Sequence, residues 1–381
     1  MGRGFHGLSL LEDQAHVIDQ FVALAKESRV DAILLAGDVY DRASPPADAV
    51  QLLDQTLTRL VIDAGIPVVV IAGNHDSGER LGFGSRLMNS RGLHVAGTTP
   101  LRVVLGDTHG EVEIVAVPFA EPAAVAARYP EQTIEDSDTA LRADLLAVSS
   151  GATSAQAASD ALQGARRIAV AHAFVSGGST SESERPLVMG NAALVAANCF
   201  DGFAYAALGH LHRPQKVGRP EVRYSGSLLK YSFDEADHRK SVSLVEMDAQ
   251  GACTIEEIAL SPRRDVRVLE GTMEELRAAA PLGGAREDYV LARLADRGAV
   301  LDAIGKLRAA YPNCLRVQRT DEALAERAGD GEARVDLRRH SETEMFEAFF
   351  AEVTGEPLSQ EESAAFEEAL AAVRRSAQAA D

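Results

Sequence analysis

Polar residues of the kind that bind metal ions follow four separate apolar runs in this sequence. The runs LLAGD, VVIAGNHD, IAVAHA and YAALGHLH supply Asp38, Asn74, His75, Asp76, His172, His210 and His212. Because the carboxyl ends of parallel strands form the crevice in which α/β sheets bind ligands, strands ending in this way would bring these residues together. A carboxylate, an amide oxygen and several imidazoles make a mixed ligand set that suits manganese, iron or zinc better than calcium or magnesium.

This ligand set predicts phosphoester hydrolysis. A carboxylate such as Asp38 can bridge two cations, and such a pair can activate water while holding the phosphoryl oxygens of an in-line displacement. An aspartate at a strand end is often only a turn residue or a helix cap, but GNHD and GHLH, each after an apolar run, together favour the metal site. We interpret the histidines outside the pattern as surface or packing residues: His16, His94, His109, His238 and His340. His6 stays open.

The segments around these motifs predict an α/β fold. SLLEDQAHVIDQFVALAKES reads as a helix that opens with a capping box of Ser9 and Glu12, followed by a strand, a helix over 47–64 and the strand IPVVVIAGNHD. Further strands are predicted within 101–119 and over RRIAVAHAF, FAYAALGHLH, EVRYSGSLL and SVSLVEM, with a helix over 121–146. Strands with few polar residues that alternate with helices indicate a sheet buried between helical layers.

Three domains are predicted along the chain. Residues 1–262 form the large domain, because the proline and charge cluster SPRRDV marks a boundary. Residues 263–339 read as strand, helix, strand, helix, strand, a small α+β domain. The tail, 340–381, contains two amphipathic stretches, and the first carries an aromatic stripe of Phe346, Phe349 and Phe350.

Composition limits the possible partners and compartment. The net charge of −19 disfavours a basic coat for phosphate backbones or anionic lipids, so any contact with nucleic acid must be local. Three widely separated cysteines fit neither a disulfide framework nor a C-x-x-C metal site, which favours a reducing cytoplasm. No signal-peptide pattern is present and no apolar run reaches the roughly 18 residues of a membrane span, so we expect no membrane association.

The motifs GD, GNHD, a later single histidine and GHLH resemble those of calcineurin-like metallophosphoesterases in order and spacing, over most of residues 1–260. Within that family, GRGFHGLSLLEDQ, AGDVYDRASPP, AGNHDSGERL, GHLHRPQ and YSGSLLKYSFDE resemble the SbcD branch, bacterial relatives of the Mre-type nucleases. The resemblance implies a two-sheet core flanked by helices, with a small capping domain. It also implies metal-dependent exonuclease and endonuclease cleavage of DNA in repair, recombination and replication.

The same resemblance implies roles for individual residues. The ligands of one ion would be Asp38, Asn74, His172 and His210. Asp38 would also bridge to a second ion, to which His212 contributes, and Mn²⁺ is the first choice for both. His75 would act beside the scissile phosphate as a proton donor or charge stabiliser, and Asp76 would be an orienting or structural acid.

One departure from the family concerns its first motif. Members begin with a strand ending in Asp-x-His, followed in the SbcD branch by Leu-Gly-Arg, whereas this sequence starts at Met1-Gly2-Arg3. Without Asp-x-His the second ion would have two protein ligands, whereas three or more are normal. A central strand would also be missing from the sheet. We interpret this as a misassigned start, with an engineered truncation or a degenerate copy as alternatives, and expect impaired activity of these 381 residues.

The resemblance also implies partners: a homodimer, an SbcC-type coiled-coil ATPase, and double-stranded DNA ends and hairpins. SETEMFEAFFAEVTGEPLS resembles the ATPase-docking end of SbcD proteins, although the stripe could instead cap its own small domain. Candidate DNA contacts near the motifs are Arg42, Arg80, Arg213 and Lys230. Two other functions stay open, a small-molecule phosphodiesterase and a non-catalytic scaffold. The accessory domain and tail argue against the first, and the intact His75 argues against the second.

Overall fold

The computed structural model describes residues 1–150, 166–184, 193–280, 283–296, 298, 300–320, 343, 346–347, 350, 357–359, 362–367 and 369–370. The chain divides into two compact units, Met1–Arg267 and Val268–Asp381. This division lies close to the predicted boundary after residue 262. No helix among the described residues is long and apolar enough to span a membrane.

The first unit is built from short strands and helices that alternate along the chain. Its strands are β1 Gly4–Phe5, β2 Leu8–Ser9, β3 Ile33–Leu35, β4 Val68–Ile71, β5 Leu93–Ala96, β6 Leu101–Asp107, β7 Gly110–Val117, β8 Arg167–His172, β9 Phe174–Val175, β10 Leu194–Val195, β11 Tyr205–Gly209, β12 Gln215–Val217, β13 Arg219–Tyr224, β14 Ser241–Met247 and β15 Cys253–Ala259. Its helices are α1 Leu11–Glu27, α2 Ala47–Leu57 with a π-helical extension Thr58–Asp63, α3 Gly78–Leu81, α4 Ser85–Met88, α5 Pro122–Arg128 and α6 Ser137–Ser150.

Two sheets pack face to face in this unit, with helices outside them. One sheet has the strand order β12-β13-β11-β8-β7-β6 and the other has β3-β4-β5. Their shared core joins Val69 and Ile71 of β4 to Ile114 and Ala116 of β7. Helix α1 covers the outer face of the smaller sheet, and α6 covers the outer face of the larger one. The predicted α/β fold of two sheets flanked by helices is therefore confirmed.

Parallel pairing sets the direction of the strands that matter for the site. Strand β3 pairs in parallel with β4, and β8 pairs in parallel with β7 and β11. The four residues of β4 are β-branched and buried, and the middle of β8, residues 168–171, is apolar and buried apart from the half-buried Ile168, as expected of central parallel strands. The carboxyl ends of these strands, where the polar motifs begin, consequently open toward the same region of the unit.

A cavity of about 1000 Å³ runs between β3 and β14. All three residues of β3 and the six residues 242–247 of β14 line it. Successive strand residues point to opposite faces, so a cavity lined by every residue runs along a strand's edge. Among the described residues β3 pairs only with β4 and β14 only with β15, so both strands turn an unpaired edge toward the cavity.

Two sequence-based expectations about helices are wrong in detail. Ser9 belongs to β2 and does not cap α1, whose N-cap is Leu10 with no side-chain hydrogen bond, although the Ser9 Oγ accepts a hydrogen bond of 3.3 Å from Leu11 N. The single helix predicted over 121–146 is two helices, α5 and α6. Pro130 follows the end of α5, and Asp136 starts α6 by accepting a 2.9 Å bond from Thr139 N.

The described residues between 266 and 320 form a small sheet with helices. Its strands are β16 Val266–Gly271, β17 Tyr289–Leu294 and β18 Cys314–Arg319, and its helices are α7 Met273–Ala278 and α8 Ala303–Arg308. The strand order is β16-β17-β18, and a capping box of Thr272 and Glu275 begins α7. In the tail, the rings of Phe346 and Phe366 stack with centroids 3.9 Å apart, whereas Phe349 lies outside the described residues.

Candidate metal centre

Four strand ends bring their polar residues to one place at the cavity. Asp38 follows β3, Asn74 follows β4, His172 ends β8 and His210 follows β11. The potential ligand atoms of Asp38, His172 and His210 all lie within 4.8 Å of one another. Asn74 Oδ1 lies 2.9 Å from His172 Nε2 and 3.4 Å from His210 Nδ1. The four residues that the sequence motifs assign to one ion therefore form a single cluster.

The hydrogen bonds of His172 show which of its nitrogens faces the cluster. Its Nδ1 lies 2.9 Å from the carbonyl oxygen of Ala36, which can only accept, so Nδ1 carries the hydrogen. In the neutral ring Nε2 is then a lone-pair acceptor, and it faces the Asn74 oxygen and the Asp38 carboxylate at 2.9 and 3.4 Å. Several acceptors that converge without a donor between them favour a cation among them.

The backbone at the cluster is strained where the ligands leave their strands. Asp38 has φ 50° and His210 has φ 106°, both in the left-handed region that residues with a Cβ rarely adopt. Neighbouring glycines allow the close approach: a Cβ on Gly209 would lie 1.7 Å from the Ala36 oxygen, and one on Gly73 would lie 2.2 Å from Asp38 Oδ1. Such strain is common at functional sites, where the surrounding structure holds it in place.

Electrostatics keeps these groups in the protonation states that metal binding requires. Burial acts to raise the pKa of Asp38, but the imidazoles of His172 and His75 outweigh it, and the net pKa lies below the usual value. Burial is the main cause that lowers the pKa of His210, to about 3. Asp38 is therefore ionised and His210 neutral near pH 7, as ligands of a divalent ion must be.

His75 and Asp76 lie beside the cluster but differ in what they contact. His75 is 6% exposed, its Nδ1 lies 2.8 Å from the Asp41 carbonyl oxygen, and its Nε2 lies 4.0 Å from Asp38 Oδ2. Asp76 instead accepts backbone hydrogen bonds from Val39, Tyr40 and Gly73 at 3.1, 2.9 and 2.9 Å. These bonds tie the loop after β3 to the loop after β4, which is the work of a structural acid.

His212 lines the same cavity as Asp38 but is not part of the four-residue cluster. Its Nδ1 lies 3.2 Å from Glu235 Oε1 and also contacts Ser183 Oγ. Glu235 is fully buried and accepts a 2.6 Å bond from Lys240. Burial acts to raise the pKa of Glu235, but the hydrogen bond from His212 and the Lys240 ammonium hold it well below the usual value. The sequence pattern does not indicate that Ser183, Glu235 and Lys240 contact His212, because loop conformation brings these residues together.

The four candidate DNA contacts have different surroundings. Arg42 and Arg80 are exposed, and Arg80 Nη1 donates a 2.8 Å hydrogen bond to the Ala43 carbonyl. Arg213 is exposed and lies 3.6 Å from Asp237. The Lys230 side chain is only 10% exposed and binds Asp265 at 2.9 Å and the Ala236 carbonyl at 2.7 Å. The Lys230 ammonium is therefore bonded within the protein, and its contact with DNA stays a prediction.

Comparisons with known proteins agree with this site. The calcineurin-like phosphoesterase profile matches residues 6–214, and the profile described as Type 5 capsule protein repressor C-terminal domain matches residues 262–354. The chain belongs to the calcineurin-like phosphoesterase family.

Within that family the chain belongs to the SbcD branch. It is similar to the SbcD subunit of nuclease SbcCD from Staphylococcus saprophyticus subsp. saprophyticus, with 32% identity over 98% of this chain and 96% of that protein. The protein of the same description from Staphylococcus epidermidis is 29% identical, over 95% of this chain and 93% of the relative. A solved structure, "GAP50 the anchor in the inner membrane complex of Plasmodium", covers 84% of this chain and 94% of its own with a TM-score of 0.34 and 10% identity, too low to carry an argument. Membership of this branch makes the chain a nuclease subunit and a metal-dependent hydrolase.

The described residues fit one divalent ion better than two. Asp38, Asn74, His172 and His210 supply a carboxylate, an amide oxygen and two imidazoles within reach of one point. Among the described residues His212 lies outside this group, and no second group of three or more potential ligands is formed there. The family's use of divalent metal is thus matched by one group of residues able to hold an ion.

Proposed function

We propose that the chain hydrolyses the phosphodiester bonds of double-stranded DNA at the centre formed by Asp38, Asn74, His172 and His210, with Mn²⁺ as the ion. The convergence of lone-pair acceptors from four strand ends is the observation that carries this proposal. The mixed oxygen and nitrogen set suits manganese. The bound ion would act as a Lewis acid on a phosphoryl oxygen.

The other roles in the proposed reaction belong to side chains at and beside the metal centre. Asp38 keeps its carboxylate ionised beside three imidazoles. The acceptor atoms of Asn74 and His172 would bind the cation at the strand ends. The Nδ1–H of His75 is held by the Asp41 carbonyl, so the proton for the leaving oxygen would come from Nε2 of the doubly protonated ring, which is left neutral with its hydrogen on Nδ1. Asp76 fixes the two loops that carry Asp38 and His75.

The second ion has a smaller role in this proposal. We assign His212 to it together with Asp38, and two ligands predict a weaker site that fills only at higher metal concentration. Hydrolysis by these residues should therefore be slow at micromolar Mn²⁺, where the second site is largely empty, and should rise as that site fills.

DNA contacts must be local in a protein with a net charge of −19. We propose that three exposed arginines contact phosphates: Arg42 and Arg213 on the loops after β3 and β11, and Arg80 in α3. Phosphate contacts position the backbone without reading bases, so little sequence specificity is expected. Double-stranded ends and hairpins are the proposed substrates.

The proposed partners are an SbcC-type coiled-coil ATPase, a second copy of the chain and the cytoplasmic DNA that they engage. Residues 1–262 are assigned to the nuclease domain, 263–339 to the capping domain and 340–381 to ATPase docking. Phe83 and Leu87, next to and within α4, are 84% and 82% exposed, and such a pair of large apolar side chains supports the proposed homodimer.

Degradation of linear duplex DNA tests this function. The chain, alone and with the ATPase, is incubated with linear and closed circular duplexes at Mn²⁺ concentrations from micromolar to millimolar. Mn²⁺-dependent shortening of the linear duplex is expected. Hydrolysis of a small phosphodiester such as bis-p-nitrophenyl phosphate without any DNA cleavage would favour the small-molecule alternative, and no hydrolysis of either would favour the scaffold.

A further inference from the structure

A buried ion pair lies next to His212, outside the four-residue centre. Glu235 is 0% exposed and Lys240 is 6% exposed, and their charged atoms are 2.6 Å apart. Burying two charges costs free energy that their mutual attraction often fails to offset, so such a pair is weak support for stability alone. The pair therefore calls for a role beyond holding a loop.

The bonds around Glu235 determine the state of the His212 ring. Ser183 Oγ donates its hydrogen to Glu235 Oε1, so only its lone pairs face His212 Nδ1. Glu235 Oε1 itself, 3.2 Å from Nδ1, also only accepts. Because both neighbours accept, Nδ1 carries the hydrogen, and Nε2 of the neutral ring keeps the lone pair with which a histidine binds a metal ion.

The backbone of His212 is held by the same group of residues. Its N–H donates a 2.6 Å bond to Glu184 Oε1, and its carbonyl accepts a 2.8 Å bond from Lys240 Nζ. Lys240 also donates to Ser227 Oγ at 2.9 Å. The ring and both backbone polar groups of His212 are thus fixed by charged or hydroxyl partners, a degree of restraint that a merely packed histidine does not need.

We infer that Glu235, supported by Ser183 and Lys240, is a positioning residue that sets the tautomer and orientation of His212 so that Nε2 is presented to a divalent ion. A carboxylate on the second nitrogen of a ligand histidine is a common way to fix the ring and raise its basicity. The inference rests on the proposed function in one respect, namely that His212 is a metal ligand.

The change Glu235→Gln makes a directional test. The Lys240 ammonium only donates, so the new amide should turn its oxygen toward Lys240 and its NH₂ toward His212 Nδ1. Nδ1 must then accept, and the hydrogen moves to Nε2, where it blocks metal binding. In the double variant Glu235→Gln/Lys240→Met no ammonium holds the amide oxygen, so the amide can turn that oxygen toward Nδ1. The original tautomer should then return. The double variant also has no unpaired buried charge, which favours folding.

The tautomer is read from the ¹⁵N shifts of the histidine rings in protein labelled at histidine, with His212 assigned by the His212→Gln variant. Mn²⁺ binding at millimolar concentration is measured in parallel from the free-ion electron paramagnetic resonance signal. Asp144→Asn serves as the control, because Asp144 is 1% exposed and pairs with Arg128 at 2.5 Å, away from His212. Glu235→Gln should move the His212 hydrogen to Nε2 and weaken the second Mn²⁺ at least about tenfold; the double variant should reverse both, and the control should change neither.

An unchanged His212 tautomer in folded Glu235→Gln overturns the inference, and so does a double variant in which the hydrogen stays on Nε2. A tautomer that moves and returns as described, while Mn²⁺ binding is the same in all variants including His212→Gln, instead overturns the assignment of His212 as a ligand, which belongs to the proposed function. The two failures are distinguishable because the ring shifts are measured without metal.

Discussion

The amide oxygen of Asn74 lies 2.9 Å from Nε2 of His172, and neither atom has a hydrogen to offer the other in the neutral ring. The carbonyl of Ala36 takes the hydrogen of Nδ1 on the far side of the imidazole. This relationship joins the smaller sheet, which carries Asn74, to the larger sheet, which carries His172. A divalent ion between these acceptors would therefore bind to both sheets at once.

His75→Asn should separate catalysis from metal binding. His75 lies beside the cluster without being one of its four members, so its loss should lower kcat on the order of 10²- to 10⁴-fold through the missing proton donor. Mn²⁺ affinity, measured by calorimetry, should stay within about twofold of the original. The control is His16→Asn, an exposed histidine on α1 that should change neither quantity. Equal losses of kcat and Mn²⁺ affinity in the His75 variant would make His75 a ligand and contradict its assigned role.

Gly209→Ala should damage the centre through the backbone. A Cβ at this position would lie 1.7 Å from the Ala36 oxygen, so β11 and the end of β3 must move apart. The expected destabilisation is about 1–3 kcal/mol or more, with weaker Mn²⁺ binding, measured by urea unfolding and calorimetry.

Gly106→Ala is the matched control for this change, since a Cβ on Gly106 in β6 meets nothing within 4 Å. Its unfolding midpoint and Mn²⁺ affinity should stay near those of the unchanged protein. Equal stability of the two glycine variants would mean that the close approach of β11 to β3 is not required.

The ion pair of Asp107 and Arg166 should make stability depend on pH in acid. Hydrogen bonds from Arg166 lower the pKa of Asp107 from 3.8 to about 2. A carboxyl whose pKa is depressed on folding contributes stability above its unfolded value, and that contribution is lost as pH falls from about 4 toward 2. Asp107→Asn should therefore lower the urea midpoint at pH 7, and the difference should shrink below pH 4.

The exposed pair of Asp19 and Arg59 gives the control for the acid experiment. Asp19 is 64% exposed, and surface pairs contribute little to stability, so Asp19→Asn should change the midpoint only slightly at any pH. A difference for Asp107→Asn that stayed constant from pH 7 to pH 3 would show that its carboxylate charge is not the source of the effect.

Arg42→Ala should weaken DNA binding uniformly across sequences. Removing one arginine from a phosphate should lower the slope of log affinity against log salt by about 1, and fluorescence anisotropy with two unrelated duplexes measures it. Lys26→Ala, an exposed change on α1, should leave the slope as it was. Unequal losses of affinity on the two duplexes would indicate base reading, and an unchanged slope would remove Arg42 from the interface.

The sequence predicts much of the fold because its strands are buried and apolar and because the motifs lie where those strands end. Asp38, Asn74, His172 and His210 could be grouped from sequence alone, since parallel strands bring their carboxyl ends together. The break between α5 and α6 and the partners of His212 could not be predicted in this way. They depend on loop conformation, and the burial of Glu235 with Lys240 is set by contacts between segments that no local pattern encodes.

The most direct test of the metal centre is a calorimetric titration with Mn²⁺ of the unchanged protein and of His172→Ala. Both proteins are first freed of metal with a chelator. We expect one ion to bind more tightly than any other, and an affinity at least about tenfold lower in the variant, which keeps its fold by circular dichroism. Mn²⁺ binding of equal stoichiometry and affinity in His172→Ala would contradict the proposed centre, because the acceptor that joins the two sheets would then not be a ligand.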